Sequence, residues 1–193
     1  MPNHRAPRDD EKRLFLLVLR CQAGDETAFS RLMEWFGART LAHLRGLLGD
    51  DADDVQQEVW LAVYMRIGAL SNPRAFRTWL FQTTRHRAID FLRSRKRERE
   101  LLEEAAREID FANAPDEGIG GLDQSSVAAA LKDLSPAQRE VLLLRYEEDM
   151  TYAQIAVIVG CSIGTVRSRL HHAKLRLQDA IEGSGGQGPR QKA

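Results

Sequence analysis

Three stretches carry the side chains with chemistry to offer, and each has the residue types of a recognition surface. The first is CSIGTVRSRLHHAK, residues 161–174. On a helical wheel Val166, Leu170, Ala173 and Leu177 fall at i, i+4, i+7 and i+11 and make one apolar stripe. Opposite it lie Gly164, Ser168 and His171, with His172 slightly aside, and Thr165, Arg167, Arg169 and Lys174 flank them. Short hydrogen-bonding side chains at the centre of a helix face let it enter a major groove, while Arg and Lys reach guanine edges or phosphates. The plain alternative is a solvated polar face. A metal ion would need convergent ligands, and the adjacent His171 and His172 face apart, so no metal site is expected.

The second stretch is DDVQQEVWLAVY, residues 53–64. Asp54, Gln57, Glu58 and Leu61 share one face at i, i+3, i+4 and i+7, an acidic ridge beside apolar Leu61 and Trp60 that can dock on a basic partner helix. Carboxylates at 51, 53 and 54 also suit the positive end of a helix without any partner, so two readings stay open. Nothing is placed to turn these carboxylates into a nuclease: no His or Lys stands beside them. The third stretch is RAFRTWLFQTTRHRAIDFLRSRKR, residues 74–97. Aromatics at 76, 79, 81 and 91 interleave with Arg74, Arg77, Arg85, Arg87 and Arg93. Bases for phosphates and rings for stacking suit single-stranded nucleic acid. Core packing accounts for most of these rings, with Trp79 the exception worth watching.

The elements that must position these residues are helices. The chain of 193 residues shows no convincing alternating strand and no internal repeat. Asp25 can cap a helix whose apolar residues are Phe29, Leu32, Met33, Phe36, Leu44 and Leu48, ended by Gly49. Asp51 can start the next, with Val55, Val59 and Ala62 on one stripe. Asn72 and Pro73 open a long helix expected to reach about Arg97. Ser135-Pro136-Ala137-Gln138 and Thr151-Tyr152-Ala153-Gln154 are two capping boxes, with Met150 and Ile155 placed as a staple across the second. A helix of about eight residues, a turn with Gly160, and a helix capped by Ser162 then have the proportions of a helix-turn-helix. The expected fold is all-α: a helical bundle over 25–99, preceded by a partly helical segment 1–24, and a smaller helical domain over 125–182. A flexible acidic linker, 100–124, whose start can be helical, joins them, and 183–193 reads as a disordered tail.

Net charge is zero, but it is segregated. Arg74 to Arg99 holds nine bases and two acids, and Glu100 to Asp123 holds eight acids and one base. Four bases and two histidines fall between Arg167 and Arg176. Two basic blocks on helices point to nucleic acid. The longest purely apolar run, Leu14 to Leu19, is too short to span a bilayer. The polar N-terminus with Pro2 and Pro7 has no signal-peptide pattern, and two cysteines without ligand spacing suit a reducing cytoplasm.

Taken together, AGDETAF, DADDVQQEVWL, FRTWLFQTTRHRAIDFLR, LSPAQREVLLLRY and MTYAQIAVIVGCSIGTVRSRL make a pattern. The chain resembles bacterial RNA polymerase sigma factors of the extracytoplasmic-function (ECF) group of the sigma-70 family, over about 25–97 (region 2) and 127–180 (region 4). The resemblance implies that Asp53, Asp54, Gln57, Glu58 and Leu61 contact core RNA polymerase at the β′ coiled coil, with the β flap a further contact. It implies that Arg74, Arg77, Trp79, Arg85, His86, Arg87 and Arg93 lie on the helix that melts and reads the −10 element. Thr165, Arg167, Ser168, Arg169, His171, His172 and Lys174 would lie on the −35 reader, with Arg167, Ser168 and His171 nearest the bases. The acidic linker would thread toward the polymerase cleft. His86 stands where the family often has Asn, near the pocket for a flipped −10 base, so a changed base preference is expected. The implied partners are core polymerase, promoter DNA and an anti-sigma factor; neither cofactor nor catalytic residue is implied. The rival account is a stand-alone helix-turn-helix regulator, which leaves residues 50–97 unexplained.

Overall fold

A computed structural model describes residues 7–107 and 134–184, and the sequence readings for the 108–124 part of the linker and for the tail from 185 lie outside them. The chain divides into two compact units, the first ending at Arg93 but also taking in Val157–Gly160, and the second holding the rest. Among the described residues there is no strand, and no helix is long and apolar enough to cross a membrane.

The first unit opens with α1 (Pro7–Gln22). Leu14, Leu17, Val18 and Cys21 recur at helical spacing and are all buried, so α1 is a packed part of the bundle, set against α2 (Glu26–Leu48). Gly24, at φ +85°, turns the chain, and the Asp25 carboxylate accepts from the Ala28 amide at 3.0 Å to start α2. Arg20 donates to the same carboxylate at 2.8 Å. The buried face of α2 is Ala28, Leu32, Phe36, Thr40, His43 and Leu44. Met33, expected inside, faces outward, and Phe29 and Leu48 are half-buried. Helices pack on α2 from more than one side, and a single-stripe reading misses that.

A 3-10 turn, Gly49–Asp51, leads into α3 (Ala52–Arg66). Asp51 stands at the N-cap position without a side-chain capping bond, because its backbone is already near-helical at ψ 0°. Val55, Val59 and Ala62 are buried as expected, and so is Trp60, whose ring meets Phe29 edge-on at 6.0 Å. Trp60 is therefore core rather than part of the outer ridge. The Gln56 amide donates to the Gly37 carbonyl at 2.7 Å and ties α3 to α2.

A 3-10 turn, Ile67–Ala69, and a short loop over 70–72 follow, and Gln22 of α1 holds them. The Gln22 amide donates to the carbonyls of Ile67 (3.0 Å) and Leu70 (2.8 Å). Asn72 then caps a 3-10 turn, Pro73–Ala75, by accepting from the Arg74 amide at 3.1 Å. Helix α4 follows over Phe76–Arg107, ten residues beyond the expected end at Arg97. The extension is rich in Glu, Arg, Leu and Ala, all good helix formers, and Lys96 pairs with Glu100 one turn on at 3.6 Å. Phe76, Leu80, Phe81, Thr84 and Ala88 are fully buried. The Thr84 hydroxyl is satisfied by the Leu80 carbonyl at 2.9 Å. Each fully buried Phe contributes roughly 1.5–3 kcal/mol relative to exposure.

The described residues 134–184 open with α5 (Pro136–Tyr146), where the capping box is complete: the Gln138 amide donates to the Ser135 hydroxyl and the Ser135 amide to the Gln138 side chain. After a turn in which Asp149 takes φ +47°, the Arg145 guanidinium donates to the Met150 carbonyl at 3.0 Å. The second box is also complete, with Thr151 and Gln154 bonded reciprocally at 2.9 and 3.3 Å ahead of α6 (Tyr152–Val159). Met150 and Ile155 are both buried, as a staple requires. Gly160, at φ +66°, ends α6 in the left-handed region that costs other residues about 1–2 kcal/mol. Ser162 caps α7 (Ile163–Ser184) through the Thr165 amide at 3.1 Å. Val166, Leu170 and Ala173 are buried and Leu177 half-buried, and α7 packs on α5.

Candidate nucleic-acid and protein interfaces

On α7 the buried stripe forces the opposite face outward. Arg167, Ser168, His171 and His172 are exposed there. Three other expected residues are tied into the fold. Thr165 is half-buried, and its hydroxyl shares a hydrogen bond with Ser162 at 2.9 Å. Arg169 is half-buried, with its guanidinium 3.9 Å from the Cys161 sulfur. The Lys174 ammonium stands over the Tyr146 ring of α5 at 5.4 Å, and that tyrosine raises its pKa above the ordinary lysine value. His172 is oriented by its own helix: its Nδ1 lies 2.8 Å from the Ser168 carbonyl. The surface offers donors and short polar groups on one convex helix, the shape a major groove admits.

On α4 the expected residues separate into groups. Arg85, His86, Arg87 and Arg93 line one open cavity of about 500 Å³, together with Asp90, Thr83 and Arg66. Trp79 lines a neighbouring cavity of about 340 Å³ with Ala69, Leu70 and Ser71 from the held loop, and again Arg66. Trp79 is half-buried, tilted against Phe76 at 6.0 Å, and so keeps one side available. Arg74 lies apart, its guanidinium over the Phe15 ring of α1 at 5.1 Å, and Arg77 is half-buried. Arg85 also faces inward: its charge, after burial, depresses the pKa of His43 to about 4. Arg93 pairs with Asp90 at 3.8 Å, both well exposed. Arg66 escaped the sequence reading because it ends α3, and only the fold sets it between one cavity lined mainly by α4 and another lined by Ala69, Leu70, Ser71 and Trp79. A ring beside a cluster of cations can stack a base and hold its phosphate.

On α3 Asp54, Gln57 and Glu58 are exposed, and Leu61 beside them is 61% exposed. The ridge runs on through Tyr64 and Met65, which are 54% and 75% exposed. These two were missed, although the spacing from Leu61 to Tyr64 and Met65 continues the same face. Asp53 is exposed and pairs with Arg45 of α2 at 3.3 Å, a surface pair worth at most about 1 kcal/mol. The helix dipole accounts for Asp53 and Asp54 in the first turn but not for Glu58, which lies beyond it. It gives no reason for three large apolar side chains in water. Exposed apolar side chains grouped beside carboxylates are the kind of surface on which a protein partner can dock. Among the described residues no three His, Cys, Asp or Glu side chains converge to hold a metal ion.

Comparison with known proteins identifies the family. The family model for Sigma-70 region 2 matches residues 36–98, and that for Sigma-70 region 4 matches 124–177. The ECF RNA polymerase sigma factor SigC of Mycobacterium tuberculosis is 30% identical over 175 residues, covering 88% of this chain and 91% of that protein. The RNA polymerase sigma-H factor of Pseudomonas aeruginosa is 27% identical over 179 residues, covering 86% and 92%. Among solved structures, the sigma factor RpoE in complex with the anti-sigma factor NepR from Bartonella quintana is similar with a TM-score of 0.58 at 28% identity, covering 80% of this chain and 96% of that one. CnrH in complex with the cytosolic domain of CnrY shares the fold, with a TM-score of 0.61 at 24% identity over 89% of this chain and 98% of that one. With both sigma regions matched in order, a relative at 30% identity over nearly its whole length, and the two helical units those regions require, the chain belongs to the ECF group of the sigma-70 family, DNA-binding regulators rather than enzymes, and is an RNA polymerase sigma factor for transcription initiation.

Proposed function

We propose that the chain directs core RNA polymerase to promoters by docking through α3, melting and reading the −10 element with α4, and reading duplex −35 DNA with α7. The observation that carries the reading is the ridge on α3. Leu61, Tyr64 and Met65 stand exposed beside Glu58 and Asp54 on a helix whose other face is core. A stand-alone helix-turn-helix regulator has no use for that ridge. A basic partner helix such as the polymerase β′ coiled coil satisfies both its charge and its apolar strip, and the β flap is the expected contact of the second unit. On α4, Trp79 offers a stacking surface and Arg66, Arg85, Arg87 and Arg93 offer cations; stacking of roughly 1–3 kcal/mol per base offsets the few kcal/mol of unpairing. His86 lines the same cavity where Asn is frequent in relatives, so it sets the base preference there. On α7, Arg167, Ser168, His171 and His172 meet the bases, while Thr165, Arg169 and Lys174 support the helix or reach phosphates.

Each DNA reader can be weak alone. Fixed on polymerase, the two act at high effective concentration, and specificity comes from their joint engagement. The work is cytoplasmic. The Bartonella RpoE relative is held by an anti-sigma factor, and a partner of that kind would hold this chain inactive by covering the α3 ridge. The test is assembly with core polymerase lacking any sigma factor, followed by size exclusion. A stoichiometric complex competed by another sigma factor is expected. Glu58→Ala should weaken that complex and spare DNA binding by α7. Arg167→Ala should do the reverse, costing roughly 1–3 kcal/mol for a bidentate guanine contact. Equal loss of both activities in both variants would refute the division of labour.

A further inference from the structure

We propose that His172 is a specificity-determining residue of α7 that presents Nε2 as a hydrogen-bond acceptor and therefore selects an amine-bearing base edge, adenine N6 or cytosine N4, in the major groove. The inference rests on the reading of α7 as the −35 helix. Its chemistry comes from a single contact. His172 Nδ1 lies 2.8 Å from the backbone carbonyl of Ser168, one turn earlier. A carbonyl oxygen only accepts, so Nδ1 carries the proton and donates. In its neutral form the imidazole has one N–H. With that proton turned back into the helix, the lone pair is left on Nε2, at the far edge of an exposed ring. The Ser168 hydroxyl, 3.4 Å from the same Nδ1, is the weaker contact. Because the anchor is main chain, no side-chain substitution at position 168 removes it. His171 stands edge-on to the ring at 5.6 Å, so His172 is bounded on that side as well.

His172 thus differs in kind from its neighbours. Arg167 and Arg169 can only donate, and in the major groove such donors favour guanine O6 and N7. The base-edge donors there are the exocyclic amines of adenine and cytosine. The recognised site is therefore mixed: guanine where Arg167 reaches, and adenine or cytosine where His172 reaches.

The test uses holoenzyme reconstituted from the full chain and core polymerase, bound to promoter duplexes randomised across the −35 element. His172→Ala is expected to lose a roughly two- to tenfold preference for adenine or cytosine at one base pair. His172→Arg, which can only donate, is expected to move that base pair toward guanine. In the wild type, replacing the selected base by an analogue lacking the exocyclic amine should reproduce the loss, with no further effect in His172→Ala. If His172→Ala instead loses a preference for guanine or thymine, or loses none while Arg167→Ala still alters selection, the assignment of His172 falls and α7 remains the reader. If neither variant alters selection, the reading of α7 falls and the assignment with it.

Discussion

Mild acid is expected to loosen the first unit through one side chain, His43. The imidazole is 3% exposed on α2, edge-on to Phe81 at 5.5 Å. Burial, and then the charge of Arg85, press its pKa from 6.5 to about 4. The folded chain keeps this ring neutral where the unfolded chain already takes up a proton. Its folded pKa is depressed, so the stability it preserves is complete above pH 6.5 and is lost as the pH falls toward 4. At about 1.4 kcal/mol per pKa unit, the loss is about 1 kcal/mol by about pH 5.5 and about 3 kcal/mol once the pH is below about 4. That is a large share of a small domain's stability of about 5–15 kcal/mol. Urea unfolding in steps of pH measures it. All three tryptophans, Trp35, Trp60 and Trp79, lie in the first unit, so their fluorescence reports that unit alone. His43→Leu removes the titrating ring, and subtracting its profile from the wild type cancels the carboxylates common to both. The difference should change by about 1 kcal/mol between about pH 7.5 and about pH 5.5. A flat difference would refute the argument from burial.

Other expectations follow from single contacts. Leu61→Ser should leave unfolding within about 0.5 kcal/mol of the wild type, because the side chain already stands in water, yet weaken the complex with core polymerase. Gln22→Glu replaces a donating amide by a carboxylate facing two carbonyl oxygens; it should cost about 1–3 kcal/mol in tryptophan-monitored unfolding and blunt discrimination at the −10 element. Gly160→Ala should cost about 1–2 kcal/mol through its left-handed backbone, read by thermal unfolding and by weakened −35 binding. The Cys21 thiol, buried and raised to about 11, should resist alkylation near neutral pH until the chain unfolds, whereas half-buried Cys161 should label in the native protein.

Helix starts were legible because caps are local chemistry. Asp25, Asn72, Ser135, Thr151 and Ser162 all accept the amides their positions imply. So was the outward face of α7, since Val166, Leu170 and Ala173 decide it alone. The end of α4 was not, because nothing near Arg97 stops a helix and the charged residues beyond it support one. The core of α2 was misread where tertiary neighbours choose the buried side: Thr40 and His43 go in and Met33 comes out. Packing of α1 was overlooked although Leu14, Leu17, Val18 and Cys21 display it, because a continuous apolar run hides its own periodicity. The two cavities around Arg66 join residues 66–71 to 79–93, and no local pattern reveals such a union.

The tie from Gln22 to the 67–70 loop has an evolutionary consequence. Gln22 grips main-chain carbonyls, which every residue type supplies alike. The loop's course is thereby independent of the side chains at 69 and 71, both exposed, and only partly dependent on half-buried Leu70. Substitutions at these three positions can alter what the cavity beside Trp79 accepts while the scaffold behind it stays unchanged. If the cavity reads the −10 element as proposed, a lineage could acquire a new base preference by point mutation in one short loop, without first accumulating compensating changes in the bundle.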